Sequence, residues 1–147
     1  MNFLLSSFIS VVLLTGITWG TDIEKAEKAA KDQHEYILLN FSGSDWCGPC
    51  IRLHKDYFDS PAFTDYAAGH LQLVNADFPR LKKNQLSKAQ QNKNDQAADQ
   101  YNKEGSFPLT LLLNADGKLI KRWEGVPDIS PEAFTAQIKE AIDANDK

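Results

Sequence analysis

Hydrophobic and polar positions follow three rhythms along this chain, and each predicts a different kind of element. The first is an apolar stretch: Phe3 to Leu14 is nearly continuous, no charged side chain occurs from Met1 to Gly20, and charge begins at Asp22, Glu24 and Lys25. The second is helical. Thr21 or Asp22 can cap a helix to about His34, with Ile23, Ala26, Ala29 and Ala30 on one face. The third is a set of short apolar runs. Tyr36–Phe41 and Leu71–Asp77 have the length and continuity of strands covered on both faces. Between them the spacing predicts a helix opening at Trp46–Cys50 and running through Leu53 to about Phe58. Asp59-Ser60-Pro61 breaks it, and a further turn or two follows over Ala62–Ala68.

The second half continues this pattern. Phe78–Gly105 is rich in Lys, Gln and Asn, with sparse apolar positions at Leu81, Leu86, Ala89, Ala97, Ala98 and Tyr101. It predicts two helical pieces joined near Asn92–Asn94, the second capped by Asn94 or Asp95, and a solvated surface rather than a partner-docking one. Leu109–Leu113, the turn Ala115-Asp116-Gly117-Lys118 and Leu119–Trp123 read as a hairpin. Ser130 caps a last helix with Pro131 at its first position and Ala133, Phe134, Ile138 and Ile142 on its buried face. Two parallel strands joined through a helix and followed by an antiparallel hairpin predict an α/β fold: a central mixed sheet with helices on both faces.

With 147 residues, 42% hydrophobic and 24% charged, the chain has the balance of one soluble domain and no repeat or linker. The net charge of −4 gives no footprint for nucleic acid, and a monomer is expected. The N-terminal run is too short for a comfortable membrane span and ends in Thr18-Trp19-Gly20. It reads as a secretory signal peptide over residues 1–20, cut between Gly20 and Thr21, with a single domain over 21–147. An uncleaved N-terminal membrane anchor is the alternative. No cysteine follows the run to carry a lipid. The expected location is therefore extracytoplasmic, periplasmic or secreted.

The chemistry rests on two cysteines, Cys47 and Cys50, with two residues between them. A structural disulfide stabilises chiefly by restricting the unfolded chain, and so small a loop gives that effect little to act on. Residues three apart on a first helical turn are close enough for an S–S bond that is made and broken. A strand, a short turn and a helix place Cys47 at a helix N-terminus, where free amides favour a thiolate. Cys50, one turn further in, is the shielded resolving thiol. Pro49 holds the turn without an amide partner, and Gly48 leaves room for a substrate backbone. Zinc would want four ligands, and His34, His54 and His70 are too scattered to complete a set. Neither metal nor cofactor is expected.

Trp46-Cys47-Gly48-Pro49-Cys50 resembles the active-site motif of thioredoxins. Phe107-Pro108 followed by Leu-Thr-Leu-Leu-Leu, then Ala-Asp-Gly-Lys and Gly125, resembles that family's proline loop and terminal hairpin. The approach Asn40-Phe-Ser-Gly-Ser-Asp-Trp46 is similar to that of exported thioredoxin-like proteins. The resemblance covers most of residues 36–125. It implies the thioredoxin fold, Cys47 as nucleophile, Cys50 as resolving thiol, Trp46, Gly48 and Pro49 as motif support, and a cis Pro108 facing the cysteines. Phe107 would touch the bound substrate or serve as a packed aromatic. Three positions and one segment depart from the family. Asn40 stands where thioredoxins bury an acid, Leu73 replaces a lysine beside it, Leu109 replaces the threonine after the proline, and Phe78–Gly105 is longer. His54 is expected as an exposed helix residue, with a proton-supplying role in place of the missing acid as the alternative.

The function this implies is a thiol–disulfide oxidoreductase that reduces disulfides of exported proteins. A membrane or thioredoxin-type donor would re-reduce it. The alternatives are a disulfide oxidase or isomerase of the same compartment, and a non-redox thioredoxin-fold binding or chaperone module.

Overall fold

The computed structural model describes residues 16–147; the apolar run Phe3–Leu14 lies outside the described residues. Five strands form one sheet in the order β1-β3-β2-β4-β5. They are β1 (Trp19–Gly20), β2 (Tyr36–Ser42), β3 (Leu71–Asp77), β4 (Leu109–Leu113) and β5 (Leu119–Glu124). Strands β1 and β2 both run parallel to β3, whereas β4 is antiparallel to β2 and β5 to β4.

Period-two alternation splits the central strands between two cores. Ile37, Leu39 and Phe41 of β2, with Val74, Ala76, Leu109, Leu111 and Leu113, face α1 (Ile23–Gln33) and α4 (Lys88–Tyr101). Leu38, Leu71, Leu73 and Leu112 face the other way. They pack on α2 (Gly48–Leu53), α3 (Pro61–Ala67) and α5 (Pro131–Asn145). The mixed sheet with helices on both faces is therefore present, and no described helix is long and apolar enough to cross a membrane.

Local chemistry sets the helix ends. The Asp22 carboxylate caps α1 by accepting from the Glu24 and Lys25 amides, and it pairs with Lys93 of α4. His34 ends the helix in the left-handed region at φ 56°. Ser60 and Ser130 cap α3 and α5, each followed by proline. In the hairpin, Gly117 takes φ +79°, and a Cβ there would sit 2.6 Å from the Glu27 carboxylate.

Two expectations change. Helix α4 is unbroken from Lys88 to Tyr101 and capped by Ser87. The break expected near Asn92–Asn94 is absent because Asn94 is buried and donates to the Asp77 carbonyl (2.8 Å), a tertiary bond that replaces capping. The helix carrying the cysteines widens into one π turn over His54–Phe58, where the Asp59 amide bonds to the His54 carbonyl five residues back. Trp19–Gly20, ahead of the expected cut, forms strand β1, and Ile17 and Trp19 pack on the Leu38–Phe134 core.

Candidate active site

Strand β2 brings the chain to the site at Ser42, and one glycine makes the exit turn. The Gly43 carbonyl accepts from the amides of Trp46 (3.3 Å) and Cys47 (2.9 Å). Glycine is required because the Trp46 indole lies over it: a Cβ at 43 would be 2.2 Å from Cε2. Asp77, the last residue of β3, fixes the other side of the turn. Its carboxylate accepts from the Ser44 amide (2.9 Å) and hydroxyl (2.5 Å) and from the Phe78 amide (3.0 Å).

Cys47 is the N-cap of α2, with extended backbone, and its Sγ accepts from the Cys50 amide at 3.3 Å. The two cysteines are joined as a disulfide with their Cα atoms 5.2 Å apart, within the span such a bond requires. Cys47 is 5% exposed and Cys50 1%; both are buried, where the sequence reading expected Cys47 to be exposed and only Cys50 shielded. Gly48 and Pro49 are exposed and leave the approach to the sulfurs open. The Cys50 amide, donating to the Cys47 sulfur at the helix start, favours negative charge there.

The remaining motif residues gather around this bond. Trp46 Nε1 donates to the Phe78 carbonyl (2.7 Å), and the Arg80 guanidinium stacks 3.6 Å from the indole centroid. Phe107 meets the same ring edge-on at 5.4 Å and Phe78 at 5.5 Å; it is a half-buried aromatic packed on the residue before Cys47. The Phe107–Pro108 bond is cis, and the Pro108 carbonyl accepts from the Gly125 amide at 2.9 Å.

Several supporting residues escaped the sequence reading. Asp45 accepts from the amides of Arg80 and Leu81 (both 2.9 Å) and from Asn84 Nδ2 (3.0 Å), tying the loop after β3 to the cysteine turn. These bonds, the Arg80 amide first, hold its carboxyl below the ordinary aspartate value. Buried Asn102 donates to the Ser106 carbonyl and accepts from the Ser106 amide (both 2.9 Å), closing the loop that leads to Pro108. An asparagine at a helix end, three residues before Gly105, was the available signal for that loop. Nothing in the local sequence pairs Asp45 with Arg80.

A polar layer lies beneath the disulfide. Asn40 is fully buried. Its Nδ2 donates to Thr110 Oγ1 (3.0 Å) and the Leu109 carbonyl (3.4 Å), and its Oδ1 has no partner among the described residues. Its neighbour across the β2–β3 ladder is Asn75, whereas Leu73 pairs with Leu38. Ser42 Oγ donates to Asn75 Oδ1 at 3.1 Å. A hollow of about 350 Å³ opens here, lined by Cys50 and His54 together with Ser42, Ser44, Asn75 and Asp59. His54 was expected to be exposed. Instead, one turn after Cys50, it lies half-buried against Trp19 and Phe58, at centroid distances of 5.1 and 4.9 Å. Among the described residues no group of three or more His, Cys, Asp or Glu side chains could hold a metal ion.

Comparison with known proteins agrees with this geometry. A family model described as a thioredoxin-like domain matches residues 23–142. The disulfide bond reductase DsbH of Chlamydia pneumoniae is 32% identical over 131 residues, which are 89% of this chain and 76% of that protein. The thioredoxin-related protein DsbJ of the same organism is 29% identical over 72% of this chain, a match spanning only 30% of DsbJ. A solved structure of a DsbH oxidoreductase superimposes with a TM-score of 0.78 at 29% identity, covering 97% of this chain and 95% of that one. A disulphide isomerase from Xylella fastidiosa Temecula1 shares the fold, with a TM-score of 0.59 at 24% identity over 80% of this chain and 88% of its own.

Proposed function

This chain belongs to the thioredoxin-like domain family, and from that premise we propose that it is a thiol–disulfide oxidoreductase working as a reductase of disulfides in exported proteins. The observation that carries the redox reading is the Cys47–Cys50 disulfide at a helix start, flanked by Trp46 and the cis-proline loop. The relative DsbH is a disulfide bond reductase, which supports the reductive direction.

In the cycle, the Cys47 thiolate attacks one sulfur of a client disulfide. That S–S bond breaks, one client thiolate leaves and takes a proton, and Cys47 is left in a mixed disulfide. Cys50 then loses its proton and attacks Cys47 Sγ, which releases the second client thiol and forms the Cys47–Cys50 bond. Two electrons pass from the chain to the client, and a membrane or thioredoxin-type dithiol donor restores them. Gly48 and Pro49 keep the approach open, and Phe107 and Pro108 form the wall against which the client segment lies.

The chargeless run from Met1 to Gly20 supports export. A cut ahead of Ile17, rather than after Gly20, leaves strand β1 in the folded chain.

Equilibration with glutathione buffers tests the direction. A reductase is expected below about −220 mV, and a potential near the roughly −120 mV of a strong oxidant such as DsbA would reverse the assignment. Cys47→Ser should abolish insulin reduction. Cys50→Ala should accumulate mixed disulfides at Cys47. A Cys47→Ser chain that still reduces insulin would remove Cys47 as the nucleophile.

A further inference from the structure

Cys50 is 1% exposed, yet it must shed a proton to close each cycle, and the residues around it supply few acceptors. Asn40 is an amide and cannot accept at neutral pH. Asp77 already receives three hydrogen bonds. Lys55, also on the hollow, is a cation, and Asp59 lies on its exposed rim. One titratable group remains. His54 follows Cys50 by one turn, its amide bonded to the Cys50 carbonyl. Its Nε2 is buried with no hydrogen-bond partner among the described residues, and its ring lines the same hollow as Cys50.

We propose that His54 is the proton-transfer residue of the resolving step. It accepts the Cys50 proton at Nε2 across the hollow the two residues share, as Cys50 Sγ attacks Cys47, and it returns that proton when the dithiol is restored. The proposal rests on the redox reading above. A buried, unpartnered polar atom is costly to keep, and an aromatic wall of Trp19 and Phe58 fixes this ring in place. Burial is the main influence on its pKa and lowers it, against the opposing charges of Asp59 and Asp77. His54 is therefore held neutral, ready to accept, at the pH where the step runs.

The test loads Cys47 with thionitrobenzoate and follows release of the thiol by Cys50 in single-turnover stopped flow between pH 5 and 9. The wild-type rate should fall on the acid side through a histidine-like midpoint. His54→Gln should slow resolution at pH 7 by about tenfold or more, with recovery towards pH 9, where the thiol ionises unaided. Loading of Cys47 itself should be unchanged in a Cys50→Ala background. Resolution within twofold of wild type and with the same pH profile would overturn the proposal while leaving the redox reading intact. A wild-type chain that cannot be loaded at Cys47 would sink that reading instead. Should His54→Gln fail to fold, the wild-type profile decides alone: no inflection below neutrality removes His54 from the step.

Discussion

Gly43→Ala is the smallest change that should reshape the active-site turn. A Cβ at this position lies 2.2 Å from Trp46 Cε2 and 2.5 Å from Cζ2 and Nε1, so the indole must leave its place. Three interactions go with it. The Nε1 bond to the Phe78 carbonyl at 2.7 Å is worth about 0.5–1.5 kcal/mol. The Arg80 stack at 3.6 Å is worth about 0.5–1 kcal/mol. The edge contact with Phe107 at 5.4 Å is worth about 0.5–1.5 kcal/mol. Together they predict a loss of about 1.5–4 kcal/mol, read from urea unfolding of the oxidised chain. The Trp46→Ala background isolates the cause, because with the indole gone the same substitution meets little and should cost less than about 0.5 kcal/mol. Equal costs in the two backgrounds would show that the strain is not with the indole and would refute the argument.

Two further predictions test the polar features. Asn40→Asp places a carboxyl in a fully buried site with no cation paired to it, so burial raises its folded pKa. The folded state then holds the proton more tightly than the unfolded chain. Stability relative to the acid form is lost as pH rises from the unfolded value towards the folded one, by about 1.4 kcal/mol for each pH unit separating them. The variant should also be the more reducing couple, because a nearby negative charge opposes thiolates; equal glutathione equilibria would remove Asn40 from the acid's place. The Asp45 carboxyl is held low, the sign opposite to the buried case, so its grip on the Arg80–Asn84 loop persists above the ordinary aspartate value and fails only as pH drops below it. The amide signals of Arg80 and Leu81 should move together in an acid titration, and a shared midpoint at or above the ordinary value would refute this.

Much of the architecture was legible because burial on two sides writes itself into continuous apolar runs. Leu71–Asp77 and Leu109–Leu113 are strands at the expected boundaries, and Ser130-Pro131 starts α5 where the capping pair stands. The cysteine pair was equally plain, since its spacing is its chemistry. What the sequence concealed has physical causes. Asn94 reads as a cap because asparagine competes with helical backbone, and only the nearness of the Asp77 carbonyl turns it into a helix-interior anchor. His54 reads as exposed because its ring is polar, although it stands one turn after buried Cys50 on the same helix face. The wider π turn brings Leu53 and Phe58, five apart, onto one buried face. Asp45 and Arg80 are 35 residues apart and meet only when β2 and β3 end side by side.

Strand β1 has a consequence for colloidal behaviour. It is two residues long, yet it covers the outer side of β3 by pairing Trp19 with Leu73 and Gly20 with Val74. Without that cover a seven-residue strand would present unpaired main-chain groups along an open edge, a template on which another copy can add. Trp19 also roofs Phe58 and Phe63, so its loss would bare aromatic surface next to the same edge. A chain starting at Thr21 would therefore carry a sticky margin, and one that keeps Trp19 and Gly20 would have it partly covered.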